Sequence, residues 1–464
     1  MTDPSNTAAR SARAAHRRGP SRAQVLRRRT FTVVTAVAAL ALVGGGVAVA
    51  RTVVDLDTGI HRSDIHLPVA GASSSSSAVP QAQGESNILV MGLDSRRDED
   101  GNVLPAATYQ ALHAGDGSDG GYNTNVLMLI HIPAGGGPAI GISIPRDDWT
   151  TLPGAPDGNA TGKIKQAYGY ELDQTLRHIV NTEPGVTHDD AYQQARSAAR
   201  QEEITTVSQF LGGVPINHFI EVTMAAFYDI AQAVQPIQVC LNETTSDTYS
   251  GADFHQGLQS LDASQALSFV RQRRDTSGSG VELTDLDRER REQAFIVALA
   301  YKLRHEDVLT NFPLVQHLID TAKQDIALDS GFDLLSFAGD AQRFAGGGIT
   351  FQTLPIVRYG VEDGQDVNIV DLAQIRSTTA ALIAASDHPG TTASATPTTG
   401  GTAGGGTTTG GTTTGGTGAS GTSAGRTTAG GTSVGASTAG GTTPSTTTTS
   451  AAQPLASGGI PCVN

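Results

Sequence analysis

Twenty consecutive residues, 31–50, carry no charge and are mostly Ala, Val and Leu. That is about the length of a helix crossing a bilayer core, and it predicts one N-terminal transmembrane helix. Beyond it the pattern changes to short apolar runs bounded by Gly, Pro and Asp, mixed with longer segments of helical period. Asn87-Ile-Leu-Val-Met91, Val126-Leu-Met-Leu-Ile-His-Ile132 and Ala139-Ile-Gly-Ile-Ser-Ile144 read as buried strands. The last two flank Pro-Ala-Gly-Gly-Gly-Pro, which predicts a hairpin. Phe219 to Val222 and Ile237 to Leu241 are further strand candidates. Residues 189–211, 262–272 and 288–304 read as helices, the second capped by Asp262 or Ser260 and the third with a core stripe at Phe295, Leu299 and Leu303. Strands interspersed with helices predict an α/β fold: a single layered α-β-α domain with a central mixed sheet, following the transmembrane helix.

Composition divides the chain further. Residues 51–85 hold a Ser run and read as a spacer. Residues 86–386 are the folded domain. Residues 387–450 are mainly Thr, Gly, Ser and Ala and read as disordered, because they cannot bury enough apolar surface to offset their ordering entropy. Residues 451–464 form a C-terminal segment that can dock back through Ile460, Cys462 and Val463. Eight arginines against Asp3 put +7 on residues 1–30, which leaves −21 on the remainder of a chain of formal net charge −14. The basic flank predicts a cytoplasmic N-terminal tail, 1–30, and an extracytoplasmic domain on a single-pass anchor in the cell membrane. A cleaved signal peptide ending at Ala48-Val49-Ala50 is the rival reading, and Arg28-Arg29-Thr30-Phe31 has a twin-Arg look. Both readings export the domain, and in that setting the two cysteines, Cys240 and Cys462, can form one disulfide. The acidic domain argues against nucleic acid as a partner.

The chemistry-bearing residues cluster. Arg271 and Arg273 lie in Ser268-Phe-Val-Arg-Gln-Arg273, and Arg288, Arg290 and Arg291 in Asp285-Leu-Asp-Arg-Glu-Arg-Arg291. Arginines at i and i+2 share no helix face. Guanidinium groups gathered from separate segments suit a pyrophosphate, since each offers a planar fork of donors. Solvated surface arginines are the plain alternative. Strand 87–91 runs into Asp94-Ser-Arg96, and strand 139–144 into Pro145-Arg-Asp147; ligands of open α/β sheets sit at such strand ends. Asp94 is a candidate ligand for Mg²⁺, an ion usually held by one or two carboxylates and substrate phosphates. Lys163 and Lys165 add cations. No His/Cys metal spacing, nucleophile elbow or Walker A loop is present in the sequence.

Asn87-Ile-Leu-Val-Met-Gly-Leu-Asp-Ser-Arg96, Ser143-Ile-Pro-Arg-Asp147, Lys163-Ile-Lys-Gln-Ala-Tyr168, Ala266-Leu-Ser-Phe-Val-Arg-Gln-Arg273 and Asp285-Leu-Asp-Arg-Glu-Arg-Arg291 stand in the order seen in LytR-CpsA-Psr proteins, which the chain resembles over roughly 86–304. The resemblance implies a membrane-anchored, Mg²⁺-dependent phosphotransferase. It would move a glycopolymer from a polyprenyl-pyrophosphate carrier to peptidoglycan as a phosphodiester during cell-wall assembly. By motif, Asp94, Arg146 and Asp147 would be catalytic, with Asp147 or Asp94 taking the acceptor's proton. Arg96, Arg146, Lys163, Arg271, Arg273, Arg288 and Arg291 would hold pyrophosphate, Asp94 and Asn125 the metal, and an apolar groove the prenyl chain. Two positions depart from the pattern. Asn123-Thr-Asn-Val126 replaces the usual Arg-Ser-Asp-Thr, so Asn125 stands for a second metal carboxylate, and Glu292 stands where Gln is usual. A module that binds polyprenyl-pyrophosphate glycans without turnover is the alternative. Residues 97–121 are an Asp/Gly-rich insertion, expected to form a lid or supply another acid.

Overall fold

The computed structural model describes residues 60–65, 84–115, 122–135, 137–305, 318, 320–321, 323–333, 348–389, 454–456 and 459–464. These belong to one compact unit, residues 1–391 with 447–464; the second unit, 392–446, lies outside the described residues. The strands in chain order are β1 (His61–Ser63), β2 (Ser86–Leu93), β3 (Thr124–Ile132), β4 (Ala139–Ser143), β5 (Trp149–Thr151), β6 (Thr161–Lys163), β7 (His218–Val222), β8 (Ile237–Leu241), β9 (Thr245–Asp247), β10 (Ala252–Phe254), β11 (Gly257–Leu261), β12 (Ile326–Asp329), β13 (Ile349–Thr353), β14 (Arg358–Glu362), β15 (Gln365–Ile369), β16 (Leu455–Ala456) and β17 (Cys462–Val463). The helices are α1 (Ala106–Ala111), α2 (Gln166–Thr182), α3 (His188–Phe210), α4 (Met224–Val234), α5 (Ala263–Arg271), α6 (Asp285–His305) and α7 (Leu372–Asp387).

Eight strands form a mixed sheet in the order β1-β12-β7-β2-β3-β4-β13-β16. β2 and β3 pair antiparallel, as do β3 and β4, so the predicted hairpin forms. β2 pairs parallel with β7, and β4 with β13. Strand alternation sends Ile88, Val90, Met128 and Ile130 to one face, where α4, α5 and α6 cover them. Leu89, Met91, Leu127 and Leu129 point the other way, against Ile204 and Phe210 of α3 and Ile375 and Ile383 of α7. Burial on both faces is why these strands read as continuous apolar runs.

Local signals set the ends that matter. The β2–β3 register slips between Gly92 and Leu93. A Cβ on Gly92 would sit 2.8 Å from Val126 Cβ, so only glycine lets the strands close there. The slip turns the chain so that the Asp94 N–H donates to the Asn123 carbonyl at 3.0 Å. Asp262 caps α5 in a capping box with Gln265. After Arg271 the backbone is extended at Gln272.

Two sequence readings change. The stretch expected to be only a spacer contains β1, which pairs parallel with β12 at the sheet edge. The single-pass membrane topology is also corrected, both the transmembrane helix before the domain and the localisation drawn from it. Among the described residues no helix is long and apolar enough to cross a membrane. α3 (23 residues) and α6 (21 residues) have the length, but Arg, Asp and Glu recur along both. Residues 31–50, the basic tail and residues 390–453 lie outside the described residues.

Candidate functional site

A cavity of about 550 Å³ opens between the sheet and the α4–α6 layer. Its inner part is apolar. Val90, Val126 and Val222 supply the sheet side; Met224, Phe227 and Ile230 come from α4, Leu267 and Val270 from α5, and Phe295, Ile296 and Leu299 from α6. Phe227 and Phe295 pack with ring centroids 4.8 Å apart. The apolar stripe read along 288–304 is therefore both core and cavity wall. Towards the strand ends the lining becomes polar, with Asn125, and charged, with Asp94, Arg96, Arg146, Asp247, Arg271, Arg273, Arg274, Arg288 and Glu292. α6 shows the change within one helix. Arg288 and Glu292 precede Phe295, Ile296 and Leu299 at helical spacing, so one stripe runs from ionic to apolar.

The arginines differ in how their charge is met. Asp285 bridges two of them. Its carboxylate accepts from Arg146 Nη2 at 2.9 Å and Nε at 3.1 Å, and from Arg288 Nε and Nη2 at 2.9 Å each. Burial alone would raise its pKa, but Arg288 and Arg146 outweigh that and hold Asp285 far below the usual carboxylate range. The remaining Arg288 Nη1 donates to Glu292. Burial pushes Glu292 up to about 7, against the pull of Arg288. Arg271 and Arg273 are the opposite case. Burial lowers the pKa of both; Asp94 offsets this in part at Arg271, while Arg146 adds to it at Arg273. Arg271 is half-buried and Arg273 exposed at the cavity mouth; a partly desolvated cation whose charge is under-compensated is a place where an anion gains.

The i, i+2 spacing of Arg271 and Arg273 now has a cause. α5 ends at Arg271 and Gln272 is extended, and alternate residues of an extended chain share a side. Gln272 faces inward, fully buried, and accepts from Arg291 Nη1 at 2.6 Å.

Of the sequence candidates, Asp94, Arg96, Asn125, Arg146, Arg271, Arg273 and Arg288 line the cavity together. Three do not. Asp147 sits behind Arg146, with Lys165 Nζ at 2.8 Å, Lys163 Nζ at 3.3 Å and Arg146 Nε at 3.6 Å. Burial opposes ionisation there, but Lys165 and Arg146 prevail and Asp147 is held below its ordinary value. Lys163 is thus engaged with Asp147. Arg291 is fully buried among Phe254, Phe269, Thr245 and the Asn464 carbonyl. Arg274, stacked 4.3 Å from the Tyr249 ring, lines the cavity and was missed, as was the bridging role of Asp285. The run Arg271-Gln-Arg-Arg274 carried a signal for the first. Nothing in the spacing foretold the second. The 97–121 insertion does supply an acid, Glu99, but to a buried network with Arg196, Arg200 and Glu221.

Among the described residues no group of three or more His, Cys, Asp or Glu is placed to hold a metal ion. The cavity mouth offers the Asp94 carboxylate and the Asn125 amide oxygen. That donor set fits a Mg²⁺ carried on substrate phosphates rather than one caged by protein alone.

The fold and site define an α/β domain with an apolar cavity opening on clustered arginines. The chain belongs to the LytR_cpsA_psr family, whose profile matches residues 60–384. It is 34% identical over 299 residues to the cell wall biosynthesis protein LcpA of Corynebacterium glutamicum, covering 64% of this chain and 55% of that protein. It is 32% identical over 129 residues to the polyisoprenyl-teichoic acid–peptidoglycan teichoic acid transferase TagU of Enterococcus faecalis, covering 28% and 39%. The chain thus spans about half or less of the length of these relatives. A solved LytR-Csp2A-Psr enzyme from Actinomyces oris aligns at 20% identity and a TM-score of 0.44, covering 69% of this chain and 95% of that one.

Proposed function

We propose that this protein transfers a glycopolymer from a polyprenyl-pyrophosphate carrier to peptidoglycan during cell-wall assembly, forming a phosphodiester. One observation carries the reading: a single cavity joins an apolar interior to a mouth lined by six arginines. A prenyl chain suits the Val, Phe and Leu walls, and a diphosphate suits the guanidinium forks. Family membership and the cell-wall names of the relatives support it.

In this reading an acceptor sugar hydroxyl attacks the phosphorus that bears the glycan. The bond from that phosphorus to the bridging oxygen breaks, and polyprenyl phosphate leaves. Such transfers rest mainly on positioning and charge stabilisation, so no protein nucleophile is needed. Arg271 and Arg273 hold the phosphates on which charge grows. Asp285 fixes Arg146 and Arg288 in place. Asp94 and Asn125 would hold Mg²⁺, which when bound neutralises phosphate charge. The acceptor hydroxyl gives up its proton to Asp94, which is on the cavity wall, rather than to Asp147, which is held among three cations.

The test is product formation by the purified protein from a lipid-linked donor and a peptidoglycan acceptor. Transfer that falls sharply in Arg271→Ala is expected; equal rates in wild type and Arg271→Ala overturn the assignment. A second reading, a non-catalytic module for the same lipid-linked glycans, is favoured by the neutral Asn125 beside Asp94. Donor binding without any product establishes that one instead.

A further inference from the structure

Arg288 enters the cavity wall with each of its three side-chain nitrogens already engaged. Asp285 takes Nε and Nη2, each at 2.9 Å, and Glu292 takes Nη1. Glu292 itself lines the cavity, so a carboxylate of the protein stands where an incoming anion would meet Arg288. Asp285 is shared with Arg146 and is pinned from two sides. Glu292 accepts from Arg288 and is the only one of the two carboxylates on the cavity wall.

From this geometry we infer that Glu292 competes with the ligand's diphosphate for Arg288, and that the site takes up diphosphate together with one proton on Glu292. The inference rests on the cavity being a diphosphate site, as proposed above. While ionised, Glu292 repels the entering anion and holds Arg288 Nη1. Once protonated it keeps an acceptor oxygen for Arg288 but no charge. The proton comes from solvent and returns on release. Glu292 is thus a specificity-determining residue that ties affinity to the proton activity outside.

The charges around Glu292 support a proton exchange near neutrality. Asp285 on α6 disfavours its ionised form, while Arg288 and Arg146 favour it; Glu289, on the same helix, is itself raised well above the ordinary carboxylate range by burial, and the Glu292 charge adds to that. Arg273, from the segment after α5, faces the Arg146–Asp285–Arg288 group, and Arg271 and Asp94 line the same cavity. Burial is the largest influence, and the balance sets Glu292 at about 7 in the ligand-free protein. A bound diphosphate adds negative charge at the site and raises it further. The sign follows: binding is strongest below the free-state value and weakens as pH rises through it.

The test is binding of a farnesyl diphosphate glycoside, a diphosphate diester whose own charge is fixed across the neutral range. Wild type is expected to lose about tenfold in affinity between about pH 6 and about pH 8. Glu292→Gln keeps the acceptor oxygen without the charge, and is expected to hold the low-pH affinity throughout. Calorimetry in buffers of different ionisation enthalpy, at about pH 7, is expected to show roughly half a proton taken up by wild type and none by the variant. Equal, pH-independent affinities in the two proteins overturn the inference and leave the proposed function standing. So does proton uptake that is the same in both. If neither protein binds the probe at any pH, both the inference and the diphosphate reading fall; pH-independent binding together with transfer activity in the product assay overturns the inference alone.

Discussion

At the cavity mouth the arginines fall into two kinds, and the difference gives them separable tests. Arg146 and Arg288 are buried and share Asp285. Asp285→Asn leaves two buried guanidinium groups with a neutral partner and is expected to lower stability by about 3–5 kcal/mol. Denaturant unfolding measures it. The pH dependence has a definite sign. The folded-state pKa of Asp285 is depressed, so its contribution is complete above the unfolded carboxylate value of about 3.9 and is lost as pH falls below it. Wild type should therefore shed stability in that acid range more steeply than Asp285→Asn. Arg271 is the contrasting case, a half-buried cation whose charge is only partly met. Arg271→Ala is expected to cost about 10²–10³ in transfer rate, with unfolding midpoint unchanged or raised. The sequence shows these arginines crowded at strand and helix ends, and the fold gathers Arg146, Arg271, Arg273 and Arg288 on one cavity wall. Arg291 shows the limit of that reasoning. It lies three residues from Arg288 in the same run, yet its side chain is buried under Phe269 and the C-terminus. Sequence spacing states the helix face, but not what the tertiary fold lays against it.

At the scale of elements, the central strands and the long helices were readable because apolar period and capping chemistry are local. The hairpin of β3 and β4 came directly from turn residues, and of the two caps read for α5, Asp262 or Ser260, the fold uses Asp262. That cap positions a helix whose last residue is Arg271. Asp262→Ala is expected to cost about 1 kcal/mol of stability, measured by denaturant unfolding, and to weaken donor binding through fraying towards Arg271. Other elements were not readable. α2 carries Gly169 inside it, which weakens the helical signal; the glycine is there because a Cβ would lie 2.9 Å from Asn123 Oδ1. β1 is three residues long and exists only by pairing with β12, more than 250 residues away. The insertion after β2 was expected as a lid or an acid for the site. Its Glu99 instead joins Arg196, Arg200 and Glu221, all essentially inaccessible to solvent, on the α3 side of the sheet. Two guanidiniums and two carboxylates balance there only as a set. Glu99→Ala is expected to cost about 3–5 kcal/mol, because Arg196 and Arg200 are then buried with half their counter-charge. A measured loss under about 1 kcal/mol would show that water enters the gap and solvates them.

On the scale of the whole molecule, the chain's end is tied back to its middle. Cys240 and Cys462 form a disulfide, with β17 laid parallel against β8 in the same register. Arg291 Nε donates to the Asn464 carbonyl at 2.6 Å, and β16 adds to β13 at the edge of the main sheet. Sequence could offer the two cysteines as a pair but could not place them, since 222 residues separate them. Their proximity follows from the three-stranded β11-β8-β17 sheet, which is a product of the complete fold. So long a closed loop gives the bond a large entropic effect on the unfolded chain, roughly 5 kcal/mol in the chain-entropy model. Arg291 adds a further consequence. Without the C-terminal strand its guanidinium stays buried over Phe254 and Phe269 but loses the Asn464 carbonyl, leaving Gln272 and Thr245. Cys462→Ser should therefore lower stability by several kcal/mol under oxidising conditions, and much less when both proteins are reduced. Deleting residues 451–464 should cost more than Cys462→Ser even under reduction, by the lost strand pairing and the stranded Arg291. Gln272, which Arg291 holds inward, lies between Arg271 and Arg273 in the extended segment at the cavity mouth. The deletion should for that reason also weaken binding of the diphosphate probe. Unchanged affinity in a deletion variant shown to be folded would mean that the tail steadies the fold without reaching the site.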